Sequence, residues 1–217
     1  MNSRSPNVPQ AHGMDDPPQP RFASRGRAFV YIVPCREDTV FKVGFSRDPF
    51  QRLRMLHPRF FEFFDLDRGL LVATDFVRDA RRVERRFLRE LSVYQALEPL
   101  VVVPSAAGRT EWFRGAIADA EAIAADFGRS EAFTIHRPAS AWFRQVFVER
   151  QDLLFSWSTR MLDAIEYHQH NSTDPSAAAT CSVALRNALD AYSAFAIDLS
   201  ALVPETVLRW YLSSSGR

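Results

Sequence analysis

The stretch AFVYIVPCREDTVFKVGFSRDPFQRLRMLH, residues 28–57, decides the fold. Two short apolar runs, Ala28 to Val33 and Val40 to Phe45, flank a polar link from Pro34 to Thr39, the pattern of a β-hairpin. Asp48-Pro49 then supplies a helix N-cap and the residue favoured at the first helical position, so a helix is predicted from Pro49 to His57. Strand side chains alternate, which puts Lys42 and Gly44 on one face of the second strand and Phe41, Val43 and Phe45 on the other. Arg52, one turn into the helix, flanks the stripe Phe50, Leu53, Leu56. Tyr31, Lys42 and Arg52 are expected to converge on one small surface.

Downstream, Pro58 to Arg68 carries the run FFEFF (60–64). It is read as a connection packed over the core, with an exposed base-stacking patch as the alternative. Gly69 to Thr74 is predicted as a third strand. Asp75 to Tyr94 is the clearest helix: at about 100° per residue, Val77, Ala80, Val83, Phe87, Leu88, Leu91 and Tyr94 fall in one apolar arc. Glu84 falls in the same arc, while six arginines, Arg78, Arg81, Arg82, Arg85, Arg86 and Arg89, take the opposite side. A carboxylate among core positions is costly unless paired or bound to a cation. Glu84 is therefore either half of a buried ion pair or a metal ligand.

Glu98 to Pro104 reads as an edge strand or an extended connection, and Ser105 to Arg109 as a flexible turn. A helix near Gly115 to Phe127 follows, turning Ile117, Ala120, Ala124 and Phe127 inward. Glu111, just before it, has an ordinary reading as a helix N-terminal acid favoured by the macrodipole. Beyond Gly128 the pattern lengthens. Phe143, Phe147, Leu154, Trp157 and Met161 recur at helical spacings, and Cys181, Leu185, Ala188, Tyr192, Phe195, Leu199 and Leu202 alternate by four and three. These predict two long helices joined by HNSTDPS, a hairpin over residues 138–212 that clamps the first domain or forms a homodimer or partner interface. His168 and His170 end a helix two residues apart and do not face the same side, so they are not read as a metal pair.

Nearly half of the 217 residues are hydrophobic, enough for a sizeable core. Net charge is +1, distributed as +2 over residues 1–28, +3 over 29–114 and −4 over 115–217. Of 27 basic residues 26 are arginine, and the one lysine is Lys42. Arginine codons of a GC-rich genome account for most of that excess, and the guanidinium suits phosphate in any case. Two cysteines, Cys35 and Cys181, are too few for a zinc site or a disulfide framework, which points to a reducing, cytoplasmic setting. No apolar run approaches the length of a membrane span and there is no signal-peptide core. Residues 1–27 are polar and proline-rich, and are expected to be a disordered arm.

Val30-Tyr31-Ile32, then Lys42-Val43-Gly44, then Arg52 and finally Glu111-Trp112-Phe113 together resemble the GIY-YIG nuclease superfamily. The likeness is nearest to the branch with a Lys-aliphatic-Gly second motif and a late Glu-Trp-Phe triplet, and it runs from about Phe29 to Arg129. It implies an α+β fold with a small three-stranded antiparallel sheet flanked by helices, as domain 28–130. It also implies metal-dependent hydrolysis of DNA, or alternatively RNA, with Mg²⁺ or Mn²⁺ as cofactor. Under it, Tyr31 orients or deprotonates the attacking water, Arg52 neutralises the scissile phosphate, Glu84 holds the metal, Lys42 supplies positive charge and Glu111 is the late acid. The branch's histidine one turn after the helix glutamate is replaced by Phe87, and the nearest histidine is His57. The glycine opening the first motif is also missing. That departure motivates a second reading, a catalytically degenerate module that binds nucleic acid or protein without cutting. No helix-turn-helix or zinc-finger pattern offers sequence-specific readout.

Overall fold

The computed structural model describes residues 25–103, 105, 108, 110–171 and 175–213. The arm expected over residues 1–27 lies outside these except for its last three residues. Those three belong to β1 (Arg25–Pro34), so the strand starts before the first apolar run. The polar Cys35–Thr39 turn leads back along β2 (Val40–Ser46), with the antiparallel register Tyr31↔Gly44 and Val33↔Lys42. β3 (Leu70–Phe76) pairs with the other edge of β1. The continuous run Ala28 to Val33 is explained by position: β1 is the middle strand and both its faces are covered.

The sheet has five antiparallel strands, not three, in the order β4-β2-β1-β3-β5. β4 (Trp112–Arg114) extends the β2 edge and β5 (Thr134–His136) extends the β3 edge. Each is three residues long, below any length at which alternation leaves a sequence pattern. Glu111 consequently sits at the mouth of a strand and not at a helix N-terminus.

Among the described residues eight helices accompany the sheet. In α1 (Pro49–Leu56) the Asp48 side chain accepts the Gln51 N–H at 3.0 Å, and His57 closes the helix as its C-cap. α2 (Phe60–Phe63) turns FFEFF into a short helix that buries Phe60 and Phe61, and Phe64 beyond it, so the base-stacking alternative is not realised. α3 (Val77–Glu90) is shorter than predicted; a 3-10 turn at Ser92–Tyr94 follows, and Tyr94 faces solvent. Among its described residues, the Glu98–Pro104 stretch is a connection and not a strand. The predicted turn at Ser105–Arg109 lies largely outside the described residues. α4 (Ile117–Ser130) packs Ala120, Ile123, Ala124 and Phe127 inward.

Two apolar layers result. One side of the sheet (Ala28, Val30, Ile32, Phe41, Val43, Val72) meets α3 and α4. The opposite side (Phe29, Tyr31, Val33, Val40, Leu71, Trp112) meets α1, α2 and the C-terminal helices. Those are α5 (Ala139–Glu149), α6 (Gln151–Asn171), α7 (Pro175–Ala194) and α8 (Glu205–Ser213). The expected two-helix hairpin is thus α6 and α7, with a separate helix before it and another after. The four-three alternation runs on through Leu199 and Leu202, but the helix stops at Ala194 and Ala196 takes a positive φ of 52°. Seam residues Leu185, Tyr192, Phe195 and Leu199 are buried inside the chain's own core, against aromatic partners such as Phe143 and Phe147. Within the second layer Arg59 ties the start of α2 to α7, donating to Asp190 at 2.6 Å and to Asn187 at 2.8 Å. Of the two expectations for this hairpin, clamping the first domain is the arrangement seen. No helix among the described residues is long and apolar enough to cross a membrane.

Candidate functional site

The site forms where β4 runs out. β4 pairs with β2 only from Val40 to Lys42, and the last rung is the Val43 N–H donated to the Glu111 carbonyl at 2.9 Å. Past that rung the outer edge of β2 has lost its strand partner. Backbone donors on one edge recur every second residue, so the next N–H on that edge is Phe45's. It is taken by Glu84, which comes from α3 on the other side of the sheet. Glu84 therefore reaches round an open strand edge and meets groups of the opposite face, which explains a carboxylate inside an apolar arc.

Tyr31 is 1% exposed and lies directly across from Gly44. A Cβ on Gly44 would fall 2.4 Å from the tyrosine Oη and 2.6 Å from its Cζ, so the phenol lies flat over the glycine backbone. The second motif needs its glycine for this reason: no other residue leaves room for the ring. Arg52 donates from Nε to the Tyr31 Oη at 3.4 Å and is half-buried. Burial pushes the Tyr31 phenol well above its ordinary range, with Arg52 opposing, and so keeps it protonated at neutral pH.

Lys42 is wholly buried and donates from Nζ to Glu111 Oε2 at 2.7 Å. Its ammonium also lies 4.9 Å from the Trp112 ring centroid. Burial draws the lysine below its usual range and Glu111 pulls it back up. The Glu111 carboxylate lies close over Gly108, whose φ is 65° and where a Cβ would fall 2.4 Å from it. Glu84 is half-buried, and desolvation followed by repulsion from Glu111 raises it to about 7, against Lys42, the Phe45 N–H and Arg81. Two carboxylates, one lysine, one arginine and one phenol are thus mutually coupled in one notch.

Tyr31, Lys42, Arg52, Glu84 and Glu111 are brought together. His57 is placed elsewhere: at the C-terminal end of α1 its ring stacks on Phe63 at 4.8 Å, and its Nδ1 accepts the Arg59 N–H at 3.2 Å. Phe87 is fully buried against Phe127 between α3 and α4. His168 and His170 lie at the end of α6. Sequence reasoning passed over Gly108 and Trp112 as parts of the site. The only signals were the glycine three residues before Glu111 and the aromatic residue after it.

As a cation site, the notch offers one half-buried carboxylate, anchored by the Phe45 amide, beside a second carboxylate shared with Lys42. No group of three or more His, Cys, Asp or Glu gathers among the described residues. A hard-oxygen donor completed by water fits magnesium or manganese and does not fit zinc.

The fold and notch define an α+β protein with a charged notch at the open edge of a sheet. Residues 28–128, a little under half of the chain, match the model of the T5orf172 domain, an endonuclease-associated domain family. That match is compatible with a nuclease-like or nucleic-acid-binding function. Neither the curated proteins nor the solved structures include a match to this chain.

Proposed function

We propose that residues 28–130 are a metal-dependent endonuclease domain of the GIY-YIG type, hydrolysing phosphodiester bonds in DNA. The observation that carries this reading is the convergence, round the open edge of β2, of Tyr31 and Arg52 from one side with Glu84 from the other.

In hydrolysis a water oxygen bonds to phosphorus, the bond to the departing sugar oxygen breaks, and the water's proton must leave. Arg52 presents a guanidinium where negative charge gathers on the phosphate oxygens. Tyr31 is the group that orients the water: a phenol held this firmly in its protonated form is a poor base at neutral pH, and its Oη remains a good hydrogen-bond partner. Lys42, buried and shared with Glu111, adds a positive charge that water cannot screen. Glu84 would hold Mg²⁺ or Mn²⁺, with Glu111 beside it. Such an ion, when bound, acidifies water and neutralises phosphate charge.

The second reading is a domain that binds nucleic acid without cutting, favoured by Phe87 standing where the related branch has histidine. The structural role of Phe87 in the α3–α4 core leaves the notch itself intact, which supports the first reading. Incubating the protein with supercoiled plasmid and with single-stranded DNA, in Mg²⁺, Mn²⁺ or EDTA, decides between them. Nicking that needs metal and disappears in both Arg52→Ala and Glu84→Gln is the expected result. Folded protein that binds these substrates in a salt-sensitive way yet leaves them intact in all conditions would favour the binding-only module.

A further inference from the structure

α3 carries more positive charge than its packing uses. Arg82 and Arg86 are committed: Arg82 pairs with Glu131, and Arg86 reaches Asp126 at 2.7 Å and Glu90 at 2.9 Å. Among the described residues Arg78, Arg81 and Arg85 form no ion pair with a carboxylate, and Arg89 only grazes Glu90 at 3.4 Å. All four are exposed. At 100° per residue they fall within one arc of about 80°, a single stripe about 16 Å long at 1.5 Å rise per residue. Its inner end touches the notch, because Arg81 lies over the Phe45 ring at 5.7 Å and its charge acts on Glu84. Its outer end opens onto a shallow hollow of about 350 Å³ lined by Arg82, Arg85, Arg86, Arg89, Phe127 and Glu131.

We propose that this stripe, Arg78, Arg81, Arg85 and Arg89, is a binding track for the sugar-phosphate backbone of a nucleic-acid duplex, leading one strand into the notch. The proposal rests on the nucleic-acid reading of the site and adds how the substrate is gripped. Exposed guanidinium groups in line complement consecutive phosphates of one strand. The neighbouring aromatic rings argue for backbone and against bases. Phe76 lies under Arg78 at 4.7 Å, Phe45 under Arg81, and Phe127 under Arg86 at 4.8 Å. Single-strand binders hold open rings on which bases stack; here each ring already carries a guanidinium, and only Phe76 among them is exposed. Contacts to phosphate carry no sequence information, so the grip is sequence-independent.

The test is fluorescence anisotropy with a labelled duplex of scrambled sequence and the matching single strand, in EDTA so that no hydrolysis intervenes. Wild type is compared with the Arg85→Gln/Arg89→Gln double variant and, as the control, with Arg160→Gln/Arg209→Gln, which removes two exposed arginines from α6 and α8 and so matches the change in net charge. The double variant should bind duplex roughly tenfold more weakly, with a log affinity against log salt slope shallower by about 1 to 2, while the control matches wild type. Equal affinities and slopes in the double variant and the control would overturn the track, as would tighter binding of the single strand than of the duplex by wild type. A protein that grips duplex through the stripe but never cuts would overturn the hydrolytic reading and leave this one standing.

Discussion

Replacing Glu84 by glutamine separates the chemistry of the notch from its stability. The half-buried Glu84 carboxyl is raised to about 7 in the fold against an ordinary 4.5, because desolvation and Glu111 both disfavour its charge. A folded-state value above the unfolded one means that the native protein holds the proton more tightly. The associated stability is complete below about pH 4.5 and is lost as pH rises through about 7. At about 1.4 kcal/mol per unit the gap corresponds to about 3 kcal/mol, and screening at a partly exposed position reduces this to about 1 to 2 kcal/mol. Glutamine keeps the oxygen that accepts the Phe45 amide and has no charge to desolvate. Glu84→Gln should therefore melt with wild type at pH 4 and above it at pH 8, by about 3 to 6 °C for a chain of this size, while metal-dependent nicking disappears. Thermal melts of both proteins across pH 4 to 8, with titrations away from the notch cancelling in the difference, provide the readout. A constant difference across that range would refute the account of Glu84 as a desolvated carboxyl. A variant less stable at pH 8 would show its charge to be fully compensated.

Other substitutions probe the remaining contacts. Gly44→Ala should destabilise by about 3 kcal/mol in denaturant titration, since the new methyl meets the wholly buried Tyr31 ring at 2.4 to 2.6 Å and the ring has nowhere to go. Breaking the Lys42–Glu111 pair should be asymmetric: Glu111→Ala strands a buried ammonium and costs about 3 kcal/mol, whereas Lys42→Met costs about 1 because Glu111, 26% exposed, returns to water. The same denaturant titration checks both, and equal losses would contradict the burial argument. Cys35, whose thiol burial raises to about 12, should resist alkylation in native protein at pH 8 and react on unfolding, as mass spectrometry of labelled protein would show.

Local signals are faithfully kept in the fold because their physics is local. The Asp48-Pro49 pair starts α1, the apolar arc of α3 buries Ala80, Val83 and Phe87, and the runs at 28 to 33 and 40 to 45 pair as a hairpin. The identity of the notch residues was equally legible, since Tyr31, Lys42, Arg52, Glu84 and Glu111 stand in the order of a known motif set. Tertiary structure alone decided the rest. β4 and β5 are three-residue strands that exist only because an existing edge offers them partners. The C-terminal alternation left open whether the helices clamp the first domain or meet a second copy; its residues are buried against Phe143 and Phe147, because an apolar stripe specifies burial and not the surface it is buried against. The sequence left Glu84 open between a buried ion pair and a metal ligand. The place where β4 stops decides its surroundings: an unpaired edge lets a carboxylate from one face of the sheet take the Phe45 amide and meet Lys42 and Glu111 from the other. No pattern along the chain encodes the length of a gap between two strands far apart in sequence.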